Sequence, residues 1–123
     1  MSTDLTVDLD QRREAIFVCT VFEPKGYKIV KTLGLVRGNT IRARHVGHDL
    51  MAALKGLVGG EISEYTKMFA ESREQALDRM RTEAVFRGAN GIVGVQFTTS
   101  MIMQGTSEIL AYGTAVILEP DES

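Results

Sequence analysis

Disulfides, tryptophan and long apolar runs are all missing from this chain. It has one cysteine, two prolines and no tryptophan in 123 residues. Cys19 alone cannot form an internal disulfide, so nothing asks for an oxidising compartment. The longest mainly apolar stretch, residues 50–58, is interrupted by Lys55 and is too short to span a bilayer. The N-terminus, MSTDLTVDLDQRRE, lacks the basic start and apolar core of a secretion signal. Charge of one sign is also lacking: 14 basic against 16 acidic side chains leave a net charge of −2. That balance offers no basic stripe for nucleic acid and no polybasic block for an anionic membrane. The expectation is a cytoplasmic protein with neither kind of partner.

What remains is ordinary globular composition, 44% apolar and 24% charged. Such a chain has enough apolar surface to fold, and its length fits one domain. A domain this small has a poor surface-to-volume ratio, which burial between subunits relieves. Residues 1–13 are polar and read as a flexible arm. Residues 14–118 read as the domain and residues 119–123 as a polar tail.

Residues 15–21 are apolar and β-branched, a strand pattern. Pro24 and Gly26 then supply turn chemistry. Residues 27–43 read as one long strand or two short ones. Tyr27, Ile29, Leu33 and Leu35 alternate in phase, with Val30 and Val36 on the other face. Gly34 and Gly38 inside it mark a bend, a bulge or a close backbone approach. Leu50, Met51, Leu54 and Leu57 recur at helical spacing, predicting a short helix over 47–57.

The clearest element is a helix over 61–87. Ile62, Tyr65, Phe69, Ala76, Leu77, Met80 and Ala84 fall on one face. Arg79, Glu83 and Arg87 are spaced to pair on its exposed side, and Gly88 suits a left-handed cap. Residues 92–103 read as a half-buried antiparallel strand, with Val93, Val95, Phe97, Thr99 and Met101 on the apolar face. A hairpin turn at Gln104-Gly105 leads to a final strand over 107–118. That strand is apolar on both faces: Leu110, Tyr112, Val116 and Leu118 on one, Ile109, Ala111, Ala115 and Ile117 on the other. A two-layer domain covers only one sheet face. A neighbouring subunit is the simplest second cover, so a homo-oligomer is expected.

The ordered motifs carry a resemblance. They are Leu33-Gly34-Leu35-Val36-Arg37-Gly38, Val58-Gly59-Gly60-Glu61 with Tyr65, a helix with Arg73, Ala76, Met80 and Ala84, then Gly88-Ala89-Asn90-Gly91-Ile92-Val93-Gly94 and Ala111-Tyr112-Gly113-Thr114-Ala115-Val116. Over residues 15–118 the sequence resembles the YbjQ-like family of mainly bacterial, uncharacterised proteins labelled heavy-metal-binding. The resemblance implies an α+β, two-layer fold: an antiparallel sheet against one long helix plus a shorter helix, β-α-β-β as in the dodecin subunit. It also implies a ring-like pentamer built partly with extra short strands.

Candidate site residues were weighed against plainer roles. Cys19, His45 and His48 are the weak metal candidates, because soft metals take Cys, His or Met ligands. No CxxC or HExxH is present, Cys19 suits a buried strand, and Met101 and Met103 suit core filling. Gly59-Gly60-Glu61 precedes a helix, but Glu61 stands where an anion would bind. Arg73 continues the row Tyr65–Phe69–Arg73, so it either pairs with a carboxylate such as Glu61 or Glu108 or extends along the helix edge to water. Glu61, Tyr65, Arg73, Glu108 and Tyr112 are the pocket candidates, with Tyr27, Tyr65 and Tyr112 as stacking groups. Glu71 and Glu74 read as solvated helix surface, and no nucleophilic triad or elbow is present. The expectation is a non-enzymatic oligomeric module. A heavy-metal protein and a binder of a small molecule between subunits are the alternatives, and the residues themselves indicate no cofactor.

Overall fold

The computed structural model describes residues 2–42 and 60–122, with the side chains of 2–7, 60–66 and 68 outside that description. The helix expected over 47–57, which contains His48, and His45 before it also lie outside. In chain order the elements are α1 (Ser2–Glu14), β1 (Phe17–Val18), β2 (Tyr27–Arg42), α2 (Gly60–Phe86), β3 (Gly91–Met103) and β4 (Thr106–Pro120). The fold is α+β, as expected, with a mixed four-stranded sheet in the order β1-β3-β4-β2. The β2–β4 and β3–β4 pairs are antiparallel, and only the short β1 runs parallel to β3.

α2 packs along β2 and β4 and barely reaches β3. Its buried row is Ser72, Ala76, Met80 and Ala84, each fully excluded from solvent. Small residues in that row bring helix and sheet close together. Gly38 completes the contact: a Cβ there would land on the Ala76 carbonyl oxygen and the Met80 nitrogen. Val36, Ile92, Val95, Ile109, Ala111 and Ala115 meet this row from the sheet. The helix ends as its sequence predicts. Gly88 takes φ +81°, Gly88 N–H bonds the Val85 carbonyl, and Ala89 N–H bonds the Ala84 carbonyl. That pair of bonds is a Schellman cap.

The structure departs from several of these expectations. Residues 2–14 form a helix that packs on α2 instead of an arm, with Leu9 against the core and Arg13 Nη1 3.4 Å from Thr82 Oγ1. β1 is two residues long, although backbone bonds continue its path through Cys19 and Val21. β4 runs through Glu119 and Pro120, which pair with Lys28 and Tyr27, so the tail is shorter. In β3 the alternation breaks at Gly94, where φ is +63° and the register shifts between Val93 and Gln96. This bulge puts Ile92 and Val95 on the helix side and Val93 on the other.

β2 is one long strand with two register shifts, between Ile29 and Lys31 and between Thr32 and Gly34. They break the phase expected from its sequence: Leu33 packs against the helix-side core while Leu35 is exposed.

The final strand does carry core on both faces. Val116 and Leu118 join Val93 in a second cluster on the face away from α2, with Cys19 against it. Its cover comes partly from the chain itself. The β1–β2 connection crosses this face from one sheet edge to the other, bringing the Phe17 and Tyr27 rings to 5.0 Å. Phe22 lies where a Gly94 Cβ would go. The C-terminal half of this strand thus has a cover within the chain.

Candidate functional site

The N-terminal half of the same face has no such cover among the described residues. Strand alternation places Arg37, Asn39 and Ile41 of β2 there, because Val36, Gly38 and Thr40 turn buried toward α2. The register sets Arg37 opposite Tyr112 and Tyr112 opposite Gln96. One row further, Asn39, Leu110 and Thr98 align, and then Ile41, Glu108 and Ser100. Two side-chain bonds tie these rows. The Tyr112 hydroxyl donates to Gln96 Oε1 at 3.0 Å, and Asn39 Nδ2 donates to Glu108 Oε2 at 2.9 Å. At the β2 side the face opens into a cleft of about 440 Å³ lined by Arg37, Gly38, Asn39, Glu83, Glu108 and Leu110. The surface offers a guanidinium, a phenol, amides and one carboxylate within three strands, with Glu83 of α2 beside them, which suits hydrogen-bonding recognition.

Of the expected pocket residues, Glu108 and Tyr112 share this face, four residues apart on β4 with separate partners. Arg73 does not share it. It is exposed on α2, one position past the buried row, and among the described residues no carboxylate pairs with it. Glu108 instead receives Asn39. Glu61 and Tyr65 sit in the first turns of α2, with side chains outside the description. Arg37, Asn39 and Gln96 were missed by sequence reasoning. Their signal was the alternation of β2 against β4, which becomes readable only once the bulges before Gly34 are known.

Cys19 is half-buried, its thiol donating to the Val21 carbonyl at 3.4 Å. Burial pushes its pKa above the ordinary thiol value, and the Val21 contact offsets this in part. A metal-binding thiolate needs the opposite shift. Among the described residues no group of three or more His, Cys, Asp or Glu converges. His45 and His48 lie outside the described residues. Met101 and Met103, read as core filler, are exposed at 74% and 64%, because α2 does not extend over distal β3.

A family model described as "Putative heavy-metal-binding" matches residues 16–119. The chain belongs to the YbjQ-like family. Among its relatives, a UPF0145 protein of Dehalococcoides mccartyi strain BAV1 is 60% identical over 94 residues, covering 76% of this chain and 90% of that one. One from the archaeon Methanococcus maripaludis is 61% identical over 92 residues, covering 75% and 82%, so the family's reach is not bacterial alone. One from Thermus thermophilus is 50% identical over 105 residues, covering 85% and 92%. The fold is similar to a crystal structure of a DUF74-family protein of unknown function from Pediococcus pentosaceus. That match has TM-score 0.56 and 19% identity, covering 85% of this chain and 98% of that one. No described helix is long and apolar enough to cross a membrane.

Proposed function

We propose that this YbjQ-like chain is a non-enzymatic homo-oligomeric module that holds a small polar ligand on the uncovered sheet face, where subunits meet. Distal β3 carries the reading. Beyond Val95 its outer edge has no strand partner among the described residues. Phe97, Met101, Ile102 and Met103 are exposed there at 42%, 74%, 49% and 64%. Phe97 and Met101 share one face of this hairpin arm, Ile102 and Met103 follow at its tip, and the arm is open along its edge among the described residues. Monomers rarely leave such an arm in water. We take the subunit number to be five, as the resemblance to the family implies. Arg37, Tyr112, Gln96 and Glu108 lie on the same sheet and supply the polar contacts. Replacing Phe97 and Met101 by Ser is expected to lower the native mass in light scattering while leaving the circular dichroism unchanged. An unchanged mass would remove the role of this arm.

Heavy-metal binding is the second reading, favoured by the family description. The described residues support it only if several subunits each contribute a ligand, or if His45 and His48 take part. Titrating zinc or copper into metal-free protein in a calorimeter tests it. The reading expects saturable heat that His45→Ala with His48→Ala abolishes; no heat and no change in melting temperature would end it.

A further inference from the structure

β2 is an edge strand, and 16 residues of open edge would template another chain. The edge is not bare. Gln75, Arg79 and Glu83 recur every four residues of α2, and Arg87 continues the spacing in the turn that caps it, so the four form one row along the side of the helix that overhangs β2. Gln75 Oε1 accepts from Arg42 Nη2 at 3.0 Å. The other three reach backbone. Arg79 Nη1 donates to the Asn39 carbonyl. Glu83 Oε2 accepts from the Arg37 N–H at 3.4 Å. Arg87 Nη1 donates to the Leu33 carbonyl at 3.3 Å, while its Nη2 holds Glu83 Oε1 at 3.1 Å.

Donors meet carbonyls and the acceptor meets the amide. The helix side chains therefore make the bonds that a neighbouring strand would make, at the same groups. The glutamate is held by the arginine one turn on, and Arg87 Nη1 also lies 3.4 Å from where a Gly34 Cβ would be, at the bulge that ends regular pairing. We propose that Arg79, Glu83 and Arg87 form a guard that denies the outer edge of β2, over residues 33–39, to any other strand. An incoming strand would have to strip two guanidinium bonds and one carboxylate bond, leaving those charges to find new partners. The guard does not rest on the functional reading above; it holds whether the chain is a monomer or an oligomer that joins through other surfaces.

Amide hydrogen exchange on the native protein, with masses measured in parallel, tests this. Strand geometry points the N–H groups of Leu35, Arg37 and Asn39 the same way, toward the outer edge. The guard predicts that Arg37 exchanges about fivefold slower than Leu35 and Asn39, the factor one net hydrogen bond carries. Uniform protection of all three means a strand already lies there, and uniform fast exchange means the carboxylate does not hold the amide; either overturns the proposal. The variant R79A/E83A/R87A is expected to form heavier, concentration-dependent species, whereas Glu83→Gln, which keeps an acceptor, should retain the native mass. A triple variant with native circular dichroism and native mass overturns the guard. If the triple variant does not fold, the exchange pattern of the native protein decides.

Discussion

Gly38 shows how much one missing Cβ can do in this fold. It lies in a strand that pairs with β4 and directly beneath α2, with Ala76 and Met80 of the helix against it. Gly38→Ala forces helix backbone away from the sheet, which loosens Val36 and Met80 together. Overpacking of this kind costs about 3 kcal/mol. Denaturant unfolding should show that loss as a lower midpoint with an unchanged slope; a loss under about 0.5 kcal/mol would mean the helix does not sit where the structure puts it. The position was legible as a close approach, because glycine inside a strand weakens it unless something needs the space. Arg73 was not legible in the same way. One position separates it from the buried Ser72, and a turn of about 100° per residue is enough to carry it out of the interface. Asn90 was seen only as part of a motif. Its side chain both accepts from the Leu118 N–H at 2.7 Å and donates to the Leu118 carbonyl at 2.9 Å, and so acts as one more residue of pairing at the foot of β3.

At the scale of elements, α2 and the β3–β4 hairpin were readable because their signals are local. Helical spacing, a glycine in left-handed conformation at residue 88 and another at Gly105 are written in neighbouring residues. α1 was not readable. Leu5, Val7 and Leu9 recur at intervals of two, which is not a helical pattern, and of the side chains described in α1 only Leu9 packs against the core. The phase of β3 failed past Gly94 for a different reason: one bulge moves every later side chain to the opposite face. The row Arg79–Glu83–Arg87 was read as surface ion pairs. Only the Glu83–Arg87 pair forms, and Arg79 goes to β2 backbone. Sequence spacing cannot show a backbone partner that lies 40 residues away. The edge guard belongs at this scale, since it is a relation between one helix and one strand.

At the scale of the molecule, two sheet edges have different fates. β2 is capped by its own helix, while distal β3 has no edge partner among the described residues and carries exposed apolar side chains. Half of the second sheet face is closed by the β1–β2 connection, and the other half, with Arg37, Tyr112, Gln96, Asn39 and Glu108 on it, has no cover among the described residues. Both open regions lie on the same arm of the fold, which is where the subunit contact and the ligand are proposed to meet. The two-sided apolar strand that suggested an oligomer is satisfied in part within the chain. The case for a partner now rests on the β3 arm. Light scattering on the native protein tests that most directly. The account predicts one species near five times the 13.5 kDa chain mass, stable on dilution; a stable species at the mass of a single chain would contradict it.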